Sequence, residues 1–110
     1  MATRANVHFN SKDFGTEANI YHHLDGDPDS MLKEFEDFFT ELEKATNDTR
    51  YNDASYLSAK YVVFLMEGKI DNIGVGIMNQ DAGDIEYCYT VNCDSSESRP
   101  KIKYKKINNH

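Results

Sequence analysis

The sequence predicts an α+β fold: an antiparallel sheet of about five strands, in the order β-β-α-α-β-β-β, with two helices packed on one face. Three observations carry that prediction. Period-2 alternation of apolar and polar residues marks both ends of the chain, and a helical period replaces it in the middle. At 110 residues, 39% hydrophobic and with seven Tyr and six Phe, the chain has material for one core, so residues 1–110 are expected to form one domain.

Each element follows from its residues. Ala5, Val7 and Phe9 alternate with Asn6, His8 and Asn10, as in a half-buried strand. After the turn KDFG, Ala18, Ile20 and His22 alternate with Asn19, Tyr21 and His23. The second strand therefore pairs with the first as a hairpin and carries Tyr21 and His23 on one face. From Met31 the period changes: Met31, Leu32, Phe35, Phe38, Phe39 and Leu42 fall within roughly 120° of a helical wheel. The opposite side holds Lys33, Glu34, Glu36, Asp37, Thr40, Glu41, Glu43 and Lys44, a solvated and mainly acidic face.

Residues 54–68 read two ways, because Tyr61 to Leu65 could be a buried strand. Length, a cap at Asn52 or Asp53, and Gly68 at a left-handed C-terminal position favour a helix. So apolar a helix must be covered by the sheet, by the first helix or by another copy of the chain, which makes a homo-oligomer, a dimer foremost, one of the expectations. NIGVGIMNQ and DIEYCYTVN read as a hairpin around the turn QDAGD, with Ile85, Tyr87, Tyr89 and Val91 on one face and Glu86, Cys88 and Thr90 on the other. CDSSESRP is a loop, and the alternating lysines of KIKYKKI suit an exposed edge strand.

The net charge of −7 lies wholly in the first half, where residues 1–55 hold twelve acids against five bases and residues 56–110 balance seven against seven. Between Asp25 and Asp48 nine acids face only Lys33 and Lys44. Such a field repels phosphate backbones and attracts basic protein surfaces. Lys101, Lys103, Lys105 and Lys106 form the only basic strip, so direct binding of nucleic acid is not expected. With a mean hydropathy of −0.70, no apolar run of bilayer length and no signal-peptide core after Met1, the chain is expected to be soluble and cytoplasmic, without a membrane partner. Cys88 and Cys93, five apart, match neither a redox motif nor a zinc pattern and are expected to be reduced packing thiols.

The stretch YHHLDGDPDS admits three readings. Asp25, Asp27, Asp29 and Glu36 match the spacing of a calcium loop, but Ser30 stands where that loop needs glycine and the preceding segment is a strand. His22, His23 and Asp25 could bind a transition metal, yet neighbouring strand residues point opposite ways, so His23 with Asp25 would need a third ligand such as Glu17, His8 or Asp84. The third reading is structural and is favoured for the aspartates: Asp27 caps a helix that Pro28 begins, with Asp29 in its first turn and Gly26 supplying the bend.

MATRANVHF followed by IYHHLDGDP resembles a family of small uncharacterised proteins of phages, prophages and bacteria. Its members open with Met-x-Thr-Arg-x-Asn-Ile and later carry Tyr-x-His-Trp-Asp-Gly-Tyr-Pro. The matching positions here are Thr3, Arg4, Asn6, Tyr21, His23, Asp25, Gly26 and Pro28, with Gly83, Asp84, Glu86, Tyr87 and Tyr89 matching a later Gly-Asp-x-Glu-Tyr-x-Tyr strand. Leu24 and Asp27 depart from the pattern, replacing a tryptophan and a tyrosine. The resemblance implies a mobile-element origin and assigns no activity.

Two functional expectations follow. The first is a non-enzymatic binding protein of phage or mobile-element origin that presents Glu34, Asp37 and Glu41 to a basic surface on a host protein, as an inhibitor of a nucleic-acid-handling defence system would. The second is a small-ligand or metal-assisted site at Arg4, Tyr21, His23, Asp25 and Tyr87, suited to nucleotide binding or phosphodiester hydrolysis. No complete catalytic constellation is present, so no catalytic residue, cofactor or resident metal is expected.

Overall fold

The computed structural model describes residues 3–107. β1 (Ala5–Ser11) and β2 (Gly15–His22) form the expected antiparallel hairpin, with Val7 opposite Ile20 and Asn6 opposite Tyr21. Gly15 leaves the turn at φ +70°, a conformation open to glycine because it has no Cβ.

α1 (Pro28–Ala45) starts where the cap chemistry places it, three residues ahead of the apolar stripe. The Asp27 side chain accepts the Ser30 backbone N–H at 3.2 Å, and Pro28 needs no partner for the N–H it lacks. A calcium loop would require this segment to unwind, since Asp29 and Glu36 both lie inside the helix. α2 (Ala54–Met66) is a helix, not a strand. Asp53 caps it by accepting the Tyr56 N–H at 3.2 Å, and Glu67 and Gly68, both with positive φ, end it.

β3 (Val75–Ile77), β4 (Tyr87–Cys93) and β5 (Lys101–Lys106) complete a five-stranded sheet in the order β3-β2-β1-β4-β5. The sheet is mixed, which corrects the expectation of a purely antiparallel one: β1 and β4 run parallel, Ala5 beside Tyr87 and Val7 beside Tyr89. The expected β3–β4 hairpin does not form. β3 pairs with β2 at one edge, while β4 lies on the far side of β1. The strands span three inter-strand spacings, roughly 14 Å, which the nine residues between Ile77 and Tyr87 bridge easily. Alternation identifies both strands but does not choose their partners. The lysine-bearing β5 is the other edge, as expected.

Both helices cover one face of the sheet. Ala5, Val7, Phe9, Ile20, Tyr89 and Val91 meet Met31, Phe35, Phe38, Phe39, Leu42, Leu57 and Tyr61 in one apolar cluster. Phe35 stacks on Tyr61 at 5.5 Å and meets the edge of Tyr89 at 5.9 Å, joining both helices to the sheet. Each such side chain contributes about 1.5–3 kcal/mol by leaving water. Leu32, at the margin of the predicted stripe, is exposed. Among the described residues no helix is long and apolar enough to cross a membrane.

Gly26 fixes the link between β2 and α1. A Cβ there would stand 2.8 Å from the Thr3 carbonyl oxygen and 2.9 Å from Ala5 Cβ, so nothing larger than hydrogen fits. The Gly26 N–H donates to Thr3 O at 2.9 Å and its carbonyl accepts the Tyr89 hydroxyl at 2.7 Å. Asp25 beside it is left-handed, at φ +56°. The Asp-Gly-x-Pro segment therefore has a local structural role.

Candidate functional site

The face of the sheet turned away from the helices is polar, because it collects the alternate residues of β1, β2 and β4: Asn6, His8, Asn19, Tyr21, Cys88 and Thr90. The segment after β3 crosses it, and Asp81 and Ala82 pack against its side chains.

Toward the start of β1, Arg4 pairs with Asp84 at 3.2 Å, and the Tyr21 hydroxyl lies 2.9 Å from His23 Nδ1. Burial, then the Asp84 charge, raise the Tyr21 phenol, with Arg4 opposing them. Arg4, Tyr21 and His23 therefore lie toward the same end of this face, with Asp84 beside Arg4. Tyr87 does not belong to this group. It sits opposite Ala5 in the parallel ladder, so it shares the helix-covered face, with its ring 6.4 Å from that of Tyr89. Asp25 lies past the strand end, in the left-handed bend before α1.

The middle of the same face holds a cluster that sequence reasoning did not assemble. His8 Nε2 lies 2.6 Å from Asp81 Oδ1 and 3.7 Å from Cys88 Sγ. Asn19 Nδ2 donates to Asp81 Oδ1 at 2.9 Å, Asn6 Nδ2 donates to Asn19 Oδ1, and Asn6 Oδ1 accepts the Ala82 N–H at 3.3 Å. The His8 imidazole is pushed up to about 9, by the hydrogen bond with Cys88 against burial, with Asp81 adding to it. Burial opposes ionisation of Asp81, but the hydrogen bonds from His8 and Asn19 and the charges of His8 and Lys105 hold it below the usual carboxylate range. A groove of 460 Å³ lined by His8, Glu17, Asn19, Gln80 and Asp81 opens beside the cluster.

This is not a nucleophilic triad. There the thiol and the carboxylate take opposite ring nitrogens, so that one accepts a proton while the other is held. Here sulfur and carboxylate converge on the same nitrogen. Strand alternation did put His8 and Cys88 on polar faces; the missing signal was Asp81, which reads as a hairpin turn residue although it lies 73 positions from its partner.

On the helical side, the expected acidic face is reduced. Glu34 turns inward, with Oε1 3.0 Å from His22 Nε2 and Oε2 accepting the Tyr61 hydroxyl at 2.9 Å. Asp37 pairs with Lys33 at 2.7 Å, and Glu43 forms a two-point pair with Arg99, each contact 2.8 Å. Glu36 and Glu41 remain exposed. Between α1 and α2 lies an apolar groove of 590 Å³, lined by Phe38, Leu42, Ala59, Val63 and Phe64, with Glu41 and Lys60 also at its wall. Val63 is 71% exposed there, so α1 and the sheet leave part of α2 uncovered.

No protein-family model, curated protein or solved structure matches the chain.

Proposed function

We propose that this chain is a non-enzymatic binding protein that seats a basic, amphipathic segment of a partner protein in the groove between α1 and α2. The groove carries the reading. Its floor is apolar, exposed Glu41 stands at its wall across from Lys60, and Asp37, paired with Lys33, lies one turn before Glu41 on α1 in the most acidic part of the chain. An apolar anchor flanked by lysine or arginine matches both features. The partner-binding face is thereby redrawn to Asp37, Glu41 and Val63, without Glu34. A phage or mobile-element protein acting on a basic host surface, such as one evolved to hold nucleic acid, fits this chemistry.

The competing site at Arg4, Tyr21 and His23 is less favoured as a nucleotide or phosphodiester site, because Arg4 is paired with Asp84. An incoming phosphate would meet the like charge of that carboxylate beside the guanidinium.

The test uses an amphipathic leucine-lysine helical peptide as the probe, read by fluorescence anisotropy. Binding should weaken with salt and fall with either Val63→Asp or the double change D37K/E41K. A scrambled peptide without an apolar face should bind poorly. Equal binding of both peptides, or binding indifferent to both variants, would overturn the groove reading. Self-association that occupies the groove and excludes the peptide would also overturn it, assigning the surface to a second copy.

A further inference from the structure

We propose that His8, Asp81 and Cys88 form a binding site for a zinc-class divalent ion, which pins the segment after β3 to the open face of the sheet. The site is independent of the partner groove, which lies across the helices.

Three donors of different chemistry come from three distant parts of the chain: a ring nitrogen from β1, a carboxylate from the crossing segment and a sulfur from β4. Their ligating atoms all lie within 4.8 Å of one another, and among the described residues no other three such side chains converge this way. A tetrahedral zinc ion with ordinary bond lengths sets its nitrogen and sulfur ligands roughly 3.6 Å apart and its nitrogen and oxygen ligands roughly 3.3 Å apart. The sulfur to nitrogen separation, 3.7 Å, already fits. The nitrogen to oxygen separation, 2.6 Å, must open by about 0.7 Å, which Asp81 can do because it stands on an exposed loop.

The crowding of one nitrogen by both sulfur and carboxylate, which defeats a triad, suits coordination, because an ion replacing the proton on that nitrogen would be within reach of all three donors. Imidazole with thiolate and carboxylate is a set that suits zinc and its neighbours better than calcium or magnesium. Asn19 holds the carboxylate and Asn6 holds Asn19, the kind of outer partners that orient ligands. Three protein ligands leave a fourth position for water on the side of the groove beside His8 and Asp81. The ion would neutralise the thiolate and carboxylate together. This revises the sequence-based expectations that no metal is held and that Cys88 only packs.

The experiment is titration of the untagged full chain with cobalt(II), a coloured substitute for zinc, followed by competition with zinc. One cobalt per chain should bind with a sulfur-to-cobalt charge-transfer band, and zinc should bleach it. Cys88→Ser should abolish the band. Asp81→Asn, a change at an exposed side chain that leaves the core intact, should weaken binding about tenfold or more. Cys93→Ser, Asp84→Asn and His23→Gln should leave both band and affinity unchanged. Absence of a charge-transfer band, its loss with Cys93→Ser, or undiminished affinity in Asp81→Asn would overturn the proposal.

Discussion

The Tyr61 hydroxyl, wholly buried, donates to Glu34 Oε2 at 2.9 Å. Glu34 Oε1 meets His22 Nε2 at 3.0 Å, so one carboxylate joins α1 to α2 and to β2 beneath the helices. Burial, followed by the charge of Glu34, raises the Tyr61 phenol well above its ordinary value, and it stays protonated as a donor.

Removing the acceptor leaves that hydroxyl buried and unpaired. Glu34→Ala should destabilise the fold by about 1–3 kcal/mol, while Glu34→Gln, which keeps an acceptor, should cost less. Urea unfolding of the two variants distinguishes this inward role from an outward one. A fully solvated Glu34 would make both changes nearly neutral.

Gly26→Ala should destabilise by about 1–3 kcal/mol, because the new methyl would stand 2.8 Å from Thr3 O and 2.9 Å from Ala5 Cβ. Gly83→Ala, where a Cβ would meet nothing within 4 Å, is the control and should be close to neutral. Thermal unfolding of both reports whether the Asp-Gly segment is structural.

The pair between Glu43 and Arg99 predicts an acid-sensitive contribution. The hydrogen bond from Arg99 first, then that from Tyr51, lowers the Glu43 carboxyl from 4.5 to about 2. A folded-state value below the unfolded one means stabilisation above the unfolded value, lost as pH falls from about 4.5 through 2. Both side chains are about 40% exposed, so the gain is modest and screened by salt. Urea midpoints over that range should fall less steeply in Glu43→Gln than in the parent chain.

Cys93 should resist alkylation in the native state. Burial, and after it the charges of Asp94, Glu17 and Asp53, pushes its thiol up to about 12, leaving almost no thiolate near neutrality. Mass spectrometry after iodoacetamide should find Cys93 modified only once the chain is unfolded.

The local devices of this fold were legible in the sequence. Asp27 with Pro28, Asp53, Gly68 and the alternation of Val7 and Phe9 each act through neighbours a few residues away. What escaped was long-range. QDAGD has the composition of a hairpin turn, yet β3 and β4 part company there, and the parallel pairing of Ala5 with Tyr87 joins segments more than eighty residues apart. The same limit hid the His8–Asp81 contact and misplaced Tyr87. Glu34 reads as solvated by helical position, and only the polar groups of His22 and Tyr61 on neighbouring elements turn it inward.

The groove between α1 and α2 is the centre of the functional reading, and amide-shift mapping tests it most directly. With the isotope-labelled full chain and the leucine-lysine peptide, shift changes should concentrate at Phe38, Glu41, Leu42, Val63 and Phe64 and weaken together as salt is added. Changes confined to the open sheet face around Tyr21 and His8, or scattered over every acidic residue, would contradict it.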